Sequence, residues 1–549
     1  MTNSTFQPDN HNPAFLLAIS FIKETDRNLF LTGKAGSGKT TFLQYIRQNT
    51  HKNLLVLAPT GLAAVNAGGM TIHNFFQLPF GPLLPDDKRF RVFAPANDPD
   101  KTAILNTFKY SLSKKEIIRN LQLLIIDEVS MVRADTLDAI DKLLRVFRRE
   151  RDKPFGGVQV ILVGDPFQLP PINNTETQQL LKKHYTGTSF FLSTAFQSCN
   201  SICIELEKVY RQKDQSFINI LNRIRVGSPT VTDLKTLNSR VQPSLSPEKK
   251  GQYVRLVTHR SDADQWNNTE LLKLRGKGYT YDGIVDGIFN EELHPVPKTL
   301  QLKVGAQVMF TRNSTRYGYY NGLTGTVIKL KHDQVLVQPE NKEPIWVTKS
   351  TWRNIRYNWN TQFQILEEEV IGTFTQFPLQ LAWAITIHKS QGLTFKKLII
   401  DTAKAFDTGQ VYVALSRATS LNDLILLSPI RFESIKASPT VQKFIKRIPS
   451  FEQNKELYSN QMADIYYQKC REAIRYHKYD LAYAYFSHAM HFRNDINTPE
   501  FKRFWEYFFS KLNHQSQLIR ELTEATRTQY PLPEEYTTNK ILGDMDLPF

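Results

Sequence analysis

LFLTGKAGSGKTTFL, Leu29 to Leu43, decides the fold. An apolar run leads into glycines, then Lys-Thr, then a second apolar run. Gly33-Lys34-Ala35-Gly36-Ser37-Gly38-Lys39-Thr40 fits the pattern G-x-x-x-x-G-K-[ST] between a strand-like and a helix-like segment. Glycines let backbone N–H groups approach phosphate oxygens, and a helix N-terminus adds positive potential. Lys39 is placed to neutralise the β- and γ-phosphates, and the Thr40 hydroxyl to bind Mg²⁺. Gly33, Gly36, Ser37, Gly38 and Thr41 complete the cradle. ATP and Mg²⁺ are the expected ligands. Kinases, GTPases, transporters and nucleic-acid motors all carry such a loop, so what it drives must be read elsewhere.

Working outward, buried-strand patterns recur at Leu54–Ala58 (LLVLA), Leu121–Asp127 (LQLLIID) and Val158–Asp165 (VQVILVGD). Near-continuous apolar strands separated by helices predict a parallel sheet covered on both faces. The rhythm breaks after His73. There Phe75, Phe76, Phe80, Phe90, Phe93, Phe108 and Tyr110 mix with Lys88, Arg89, Arg91, Lys109, Lys114 and Lys115. This predicts an inserted subdomain whose aromatics either stack bases or fill a core.

A second α/β unit is split in sequence. It is expected to begin near Ile202, with a helix burying Phe217, Ile218, Leu221 and Ile224, and a strand in Val254–Arg260 (VRLVTHR). It resumes at Leu381–Gly392, Lys397–Ala403 and Leu424–Pro429. Between the halves, VGAQVMFT, GLTGTVIKL, QVLVQP and PIWVTK alternate and are punctuated by turns, which predicts a small antiparallel barrel. Gln461–Asp495 resembles one helical hairpin of the tetratricopeptide kind; repeat arrays need neighbours, so a helical cap on the motor is the competing expectation.

The chain has 549 residues and a net charge of +16, which favours a polyanionic partner. Three cysteines, Cys199, Cys203 and Cys470, give no disulfide framework and no metal set. No apolar run is as long as a membrane span, and MTNSTFQPDNHNP has neither a signal-peptide core nor an Arg-rich presequence. A monomer in a cytoplasm is the expected setting.

Two further motifs end strands. In LLIIDEVSM, Asp127 stands where ligands bind in such sheets and is placed to hold Mg²⁺ through water. Glu128 beside it is placed to orient and deprotonate an attacking water. In Gly164-Asp165-Pro166-Phe167-Gln168-Leu169-Pro170-Pro171, Gln168 can sense a γ-phosphate, although alone the motif is also a plain turn.

GDPFQLPP together with LEKVYRQ (Leu206–Gln212), AITIHKSQGLTF (Ala384–Phe395) and VYVALSRAT (Val411–Thr419) resembles the motif series of superfamily-one helicases. EVSMVRADTLDAIDKLLR (Glu128–Arg145) is similar to the signature of the petite-integration-frequency helicases, a bacterial-like, B-type group. APTGLAAVNAGGMTIHNFF (Ala58–Phe76), LKVGAQVMFTRN and YNGLTGTV agree with it. The resemblance covers roughly residues 12–430.

It implies two RecA-like P-loop domains: residues 1–200 with an insertion at 76–118, and 201–263 plus 380–440 with a barrel inserted at 264–379. A helical region at 450–530 and an extended tail at 531–549 follow. It implies Arg211 and Arg417 as cleft arginines acting on the γ-phosphate, and Gln391 and Gly392 as reporters of nucleotide state. At the adenine site the family's Gln is missing, and Asn12 and Phe15 stand in its place. Thr60, Gly61, His73, Thr386, His388 and Lys389 match DNA-facing positions. The activity implied is 5′-to-3′ translocation on single-stranded DNA with unwinding of duplex or structured DNA at single-strand/duplex junctions. Three readings compete with it: a translocase that strips proteins but unwinds poorly, a non-motor P-loop NTPase, and a recruitment scaffold with a vestigial ATPase.

The tail from Asp544 to Phe549 resembles the acidic Pro-Phe tip of bacterial single-strand-binding proteins. It is expected to dock on proteins that read such tips, or back on the basic motor.

Overall fold

The structure, a computed structural model, describes residue 9 and residues 11–521. Residues 80, 94–102, 172–174, 213, 244–252, 315–316, 340–341, 361, 364, 402–407, 507–508, 511–513, 515 and 518–519 lie outside the description, as does the tail from residue 522, including Asp544–Phe549. The chain divides into two units, residues 1–454 and 455–549. Among the described residues no helix is long and apolar enough to cross a membrane.

In the first unit, the strands β1 (Leu29–Gly33), β2 (Leu54–Ala58), β3 (Met70–Thr71), β4 (Leu123–Ile126), β5 (Gln159–Val163) and β6 (Ile202–Leu206) form one parallel sheet in the order β3-β2-β4-β5-β1-β6. Every residue of β1, β4 and β5 is buried, as a sheet covered on both faces requires. The amphipathic helix Ala134–Arg148 covers one face with Leu137, Ile140, Leu143, Leu144 and Phe147. Its Arg148 guanidinium donates to the carbonyls of Ile118, Arg119 and Leu121 at 2.7–2.8 Å. Those groups end the neighbouring helix Leu112–Asn120 and have no intrahelical donors of their own.

One boundary differs from expectation. Ile202–Leu206, expected to open the second unit, is a strand of the first, paired in parallel with β1 from Leu29↔Ile202 to Gly33↔Leu206. A short buried strand reads the same in either sheet, because only the pairing partner distinguishes them. The P-loop strand is therefore an interior strand, flanked by β5 and β6.

The aromatics after His73 fill a core. Phe75, Phe76, Phe90, Phe108 and Tyr110 are buried, and among the described residues of this set only Phe93 stands out in solvent, at 72% exposure, with the Arg151 guanidinium 5.0 Å above its ring; Phe80 lies outside the described residues. Lys114 donates to the Phe75 carbonyl and lies 4.8 Å from the ring centres of both Phe75 and Tyr110.

The second sheet joins β7 (Val254–Val257) to three strands that come much later. Before them lie β8 (Tyr279–Asp282), β9 (Ile284–Gly287), β10 (Thr299–Leu302), β11 (Gln307–Phe310), β12 (Thr324–Leu330), β13 (Gln334–Pro339), β14 (Ile345–Thr348), β15 (Ser350–Asn360), β16 (Ile365–Gln376) and β17 (Leu379–Leu381). β18 (Ala384–Thr386), β19 (Leu398–Ile400) and β20 (Leu424–Leu426) then complete a parallel sheet ordered β18-β7-β19-β20. Beside its edge strand β18, the buried Asn267 carboxamide donates to the Ala384 carbonyl at 2.8 Å and accepts from its N–H at 2.9 Å. A side chain thus supplies the hydrogen bonds that a further strand would make.

The insertion between the halves is antiparallel, as the alternation predicts, but it is three sheets. Five strands run in the order β14-β13-β12-β11-β17, three in the order β15-β16-β9, and β10 pairs with β8. Among the described residues no pairing joins the edge strands β14 and β17, so the expected single barrel is replaced by an open sheet and a long hairpin. The hairpin carries Tyr357 into the main core, where it is 5% exposed.

The second unit, taken by itself, is helical. The helix Phe451–Arg475 turns into Tyr479–Phe492, and residues 499–506 are helical again. Small residues, Cys470, Ala473 and Ala482, let the hairpin close.

Candidate nucleotide cleft and nucleic-acid face

The cradle forms as its sequence dictates. Gly36 and Gly38 take φ of +78° and +90°, a region that costs any side chain energy, and the helix Lys39–Asn49 starts at once behind them. Lys39 Nζ donates to the carbonyls of Gly33 at 2.6 Å and Lys34 at 3.0 Å. Burial pulls its pKa down to about 8, against the pull of Asp165 and Glu128. The Ser37 hydroxyl is 1% exposed and has no hydrogen-bond partner. A buried hydroxyl without a partner, a buried ammonium and a glycine turn suit a polyphosphate.

A cavity of about 560 Å³ opens over this loop. Of the expected residues, Gly36, Ser37, Gly38, Lys39, Thr40, Thr41, Glu128, Gln168, Arg211, Gly392 and Arg417 all line it, as does Phe15. Gly33, Asp127, Gln391 and Asn12 do not. Gly33 ends β1 and gives its carbonyl to Lys39. Asp127 Oδ1 accepts the Glu128 N–H at 2.9 Å. Burial and the adjacent Glu128 push Asp127 up to about 7; burial raises Glu128 as well, opposed by Lys39 and Arg417. Gln391 leaves its Nε2 buried without a partner. Asn12 caps the helix Pro13–Glu24, so its carboxamide is spent structurally.

The arginines come from different segments. Arg211 follows β6 and donates to the carbonyls of Ser416 at 2.9 Å and Gly392 at 3.5 Å, which belong to the second sheet's layer. Arg417, 1% exposed, donates to Val413 O and Ser416 Oγ at 2.9 Å and to Ser390 O and Leu393 O at 3.4 Å. Burial lowers the pKa of both, Arg211 to about 9. Behind the cradle, Asp165 is fully buried against Arg225 at 3.0 Å, and Arg225 also reaches Glu205 at 3.0 Å. The Tyr412 hydroxyl donates to Asp165 at 3.2 Å and accepts the Ala35 N–H at 3.0 Å, tying the loop to the helix Gln410–Leu415.

The six expected DNA-facing residues lie at or just beyond the C-terminal ends of β2, β3 and β18. Thr60 caps the helix Gly61–Ala67, its hydroxyl accepting the Ala63 N–H at 3.3 Å. His73 sits in the helix Ile72–Phe76, its pKa lowered by burial and by Arg133. Thr386 ends β18, and its hydroxyl accepts the Lys389 N–H at 3.2 Å. His388 is half-buried and Lys389 exposed. None of the six lines the nucleotide cavity.

Comparison with known proteins places this geometry. Residues 11–234 match the sequence profile of the PIF1-like helicases. The ATP-dependent DNA helicase Pif1 of Bdellovibrio bacteriovorus is 31% identical over 431 residues, 76% of this chain and 88% of that protein. The chain belongs to the PIF1-like helicase family. The human ATP-dependent DNA helicase PIF1 is 34% identical over 73% of this chain, a match spanning 58% of the human protein. Pif1 of a Bacteroides species, solved with ADP-AlF4, is 39% identical, covers 79% of this chain and 96% of its own, and superimposes with a TM-score of 0.72. The same Bacteroides helicase bound to single-stranded DNA superimposes with a TM-score of 0.54.

Within this PIF1-like chain the sequence reading missed several contributors. Tyr210 lines the cavity, and a Cβ on Gly38 would stand 3.5 Å from its ring. Its place directly before Arg211 in VYRQ was the available signal. Asp9 also lines the cavity; Arg225 and Tyr412 support it from behind. Nothing local marks these three, because their roles are fixed by contacts made across 60 to 377 residues of chain.

Proposed function

We propose that this chain is an ATP-dependent DNA helicase that translocates 5′-to-3′ on single-stranded DNA and unwinds duplex or structured DNA. The observation that carries the reading is one cavity walled by the P-loop and Glu128 of the first sheet's layer and by Gly392 and Arg417 of the second's, with Arg211 between them. The polarity follows the family resemblance. Single-stranded DNA as a substrate follows the solved Bacteroides Pif1 complex, and forked duplex DNA the solved Pif1 helicases that unwind it.

Each side chain has a defined task. Gly36, Ser37 and Gly38 present the loop to the phosphates, and Lys39 exchanges its backbone carbonyls for phosphate oxygens. Thr40 and Asp127 are the residues to hold Mg²⁺, which supplies charge neutralisation at the phosphates when bound. Glu128 orients the attacking water and takes its proton on the carboxylate. Gln168 bonds the terminal phosphate. Arg211 and Arg417 place positive charge where negative charge grows in the transition state. Arg417 must first release its own-layer carbonyls, so its engagement couples the terminal phosphate to movement of the second layer. Thr60, Gly61, His73, Thr386, His388 and Lys389 grip phosphates without reading sequence.

The test is hydrolysis with and without single-stranded DNA, beside strand displacement on a forked duplex. Wild type should show strong stimulation and unwinding, and Lys39→Ala neither. Turnover indifferent to added DNA overturns the reading. Stimulation without strand displacement leaves a translocase instead.

A further inference from the structure

Gln212 ends the stretch LEKVYRQ, is 4% exposed and does not line the nucleotide cavity. A buried carboxamide is expected to be hydrogen-bonded, and this one is. Its Nε2 donates to the Ala418 carbonyl at 2.9 Å and to the Ser416 carbonyl at 3.2 Å. An amide nitrogen carries two hydrogens, so one group serves both acceptors. Those acceptors are the carbonyls on either side of Arg417.

The carbonyl of Arg417 itself accepts the Phe395 N–H at 2.9 Å. The successive carbonyls of Ser416, Arg417 and Ala418 are thus all held from outside their own segment. The Arg417 guanidinium is held separately, by Val413, Ser390, Leu393 and the Ser416 hydroxyl. It can exchange those acceptors for a phosphate while the backbone beneath it stays fixed. Gln212 belongs to the segment that leaves β6 of the first sheet. Beside it, Arg211 donates to the same Ser416 carbonyl, and Tyr210 gives its N–H to the Gly36 carbonyl. Tyr210, Arg211 and Gln212 together reach from the phosphate loop to the backbone of Arg417.

We propose that Gln212 is a positioning residue for hydrolysis: its carboxamide fixes the backbone of Arg417 relative to the phosphate loop, so that both cleft arginines reach the terminal phosphate together. The proposal rests on the reading that Arg417 acts on that phosphate. ADP lacks the group that Arg417 addresses, so loss of the clip spares ADP binding and falls on the chemical step. The side chain is specific for the task. Asparagine is one methylene shorter, methionine has the length but no donor, and an ionised glutamate only accepts.

The experiment measures DNA-stimulated ATP hydrolysis by the full chain, beside its affinities for ADP and for ADP-aluminium fluoride. It compares wild type, Gln212→Met, Arg417→Ala and the double variant. Rates are taken per ADP-binding site, so an unfolded fraction does not enter. The kcat of Gln212→Met should fall by about tenfold to 10²-fold, the cost of a misplaced catalytic group. Its ADP affinity should stay within about twofold of wild type, while its affinity for ADP-aluminium fluoride, a mimic of the transferring phosphoryl group, should fall with kcat. In the Arg417→Ala background the same substitution should change kcat by less than about twofold, because the group it positions is gone. Should Gln212→Met yield no ADP-binding sites, Gln212→Glu, of the same shape, carries the same comparison. Wild-type kcat, an equal loss of ADP affinity, or losses that multiply in the double variant overturn the inference. Wild-type turnover by Arg417→Ala overturns instead the role of Arg417 on which it rests.

Discussion

Gly36 and Arg211 touch. A Cβ placed on Gly36 would stand 2.5 Å from the Arg211 Cβ, and the N–H of Tyr210, the residue before Arg211, donates to the Gly36 carbonyl at 2.9 Å. The phosphate loop and the segment carrying the cleft arginine therefore meet without a side chain between them. Gly36→Ala adds an atom where none fits and also strains a backbone at φ +78°, at a cost of about 1–2 kcal/mol. The expected outcome is a folded enzyme whose DNA-stimulated turnover drops by roughly 10²-fold, as for loss of a transition-state donor. Steady-state hydrolysis beside a melting curve checks this; wild-type turnover would show the contact to be dispensable.

Arg225 is held for a different reason. It neutralises Asp165, which has no exposed surface, and its guanidinium lies 4.8 Å from the Phe167 ring centre. Removing one partner of a buried pair strands the other charge, which costs about 3–5 kcal/mol. Arg225→Ala should lower the urea midpoint accordingly, whereas Asp165→Asn with Arg225 intact leaves a cation that Glu205 still faces at 3.0 Å and should cost less. Equal midpoints for wild type and Arg225→Ala would remove the ion pair from the account of stability.

What the sequence carried follows from range. Strands β1, β2, β4 and β5 and the cradle are written locally, in runs of five to fifteen residues whose apolar pattern and glycines leave few alternatives. The split second sheet was also legible, because each of its strands is a short apolar run with turns on both sides. Ile202–Leu206 was placed with the second unit rather than the first, since nothing within the strand names its neighbour. The long hairpin β15–β16 was missed because its outward positions are polar, Arg353, Asn358, Glu367 and Glu369 among them, and its buried residues, Trp352, Tyr357 and Phe374, are sparse. At the site, most of the residues that line the cavity lie in motifs legible in the sequence, and the residues behind them do not. Asn12 looked like a ligand and is a helix cap, a role that depends only on its position before Pro13.

The acidic pair makes stability depend on pH. Asp127 titrates at about 7 in the folded chain because of burial and the Glu128 carboxylate, against an ordinary 3.8. Between those values the folded chain keeps a proton that the unfolded chain has released. The stabilisation is complete below the ordinary value and is lost as pH rises through about 7. Nucleotide-free wild type should therefore lose stability through this group as pH rises from ~4 to ~8. Asp127→Asn should show a shallower fall, with a remainder from Glu128, whose pKa is raised too. Denaturation midpoints across that range check the difference in slope; parallel curves would mean that Asp127 is ionised throughout.

Tyr412 offers the sharpest separation of assembly from chemistry. Its hydroxyl is the bridge from Ala35 of the loop to Asp165, at 3.0 and 3.2 Å, and it comes from the helix Gln410–Leu415 in the second sheet's layer. Tyr412→Phe keeps the buried ring and deletes only that oxygen, leaving the Ala35 N–H and one Asp165 lone pair without this partner, at about 1–3 kcal/mol. If the two layers communicate through the loop, the penalty falls on the arrangement in which they close together. DNA-stimulated hydrolysis should then fall more than hydrolysis without DNA, and the stimulation ratio should drop by about fivefold or more. A variant that loses stability but keeps the wild-type ratio would make the bridge structural only, and would leave the coupling of nucleotide to layer movement to Arg211 and Arg417.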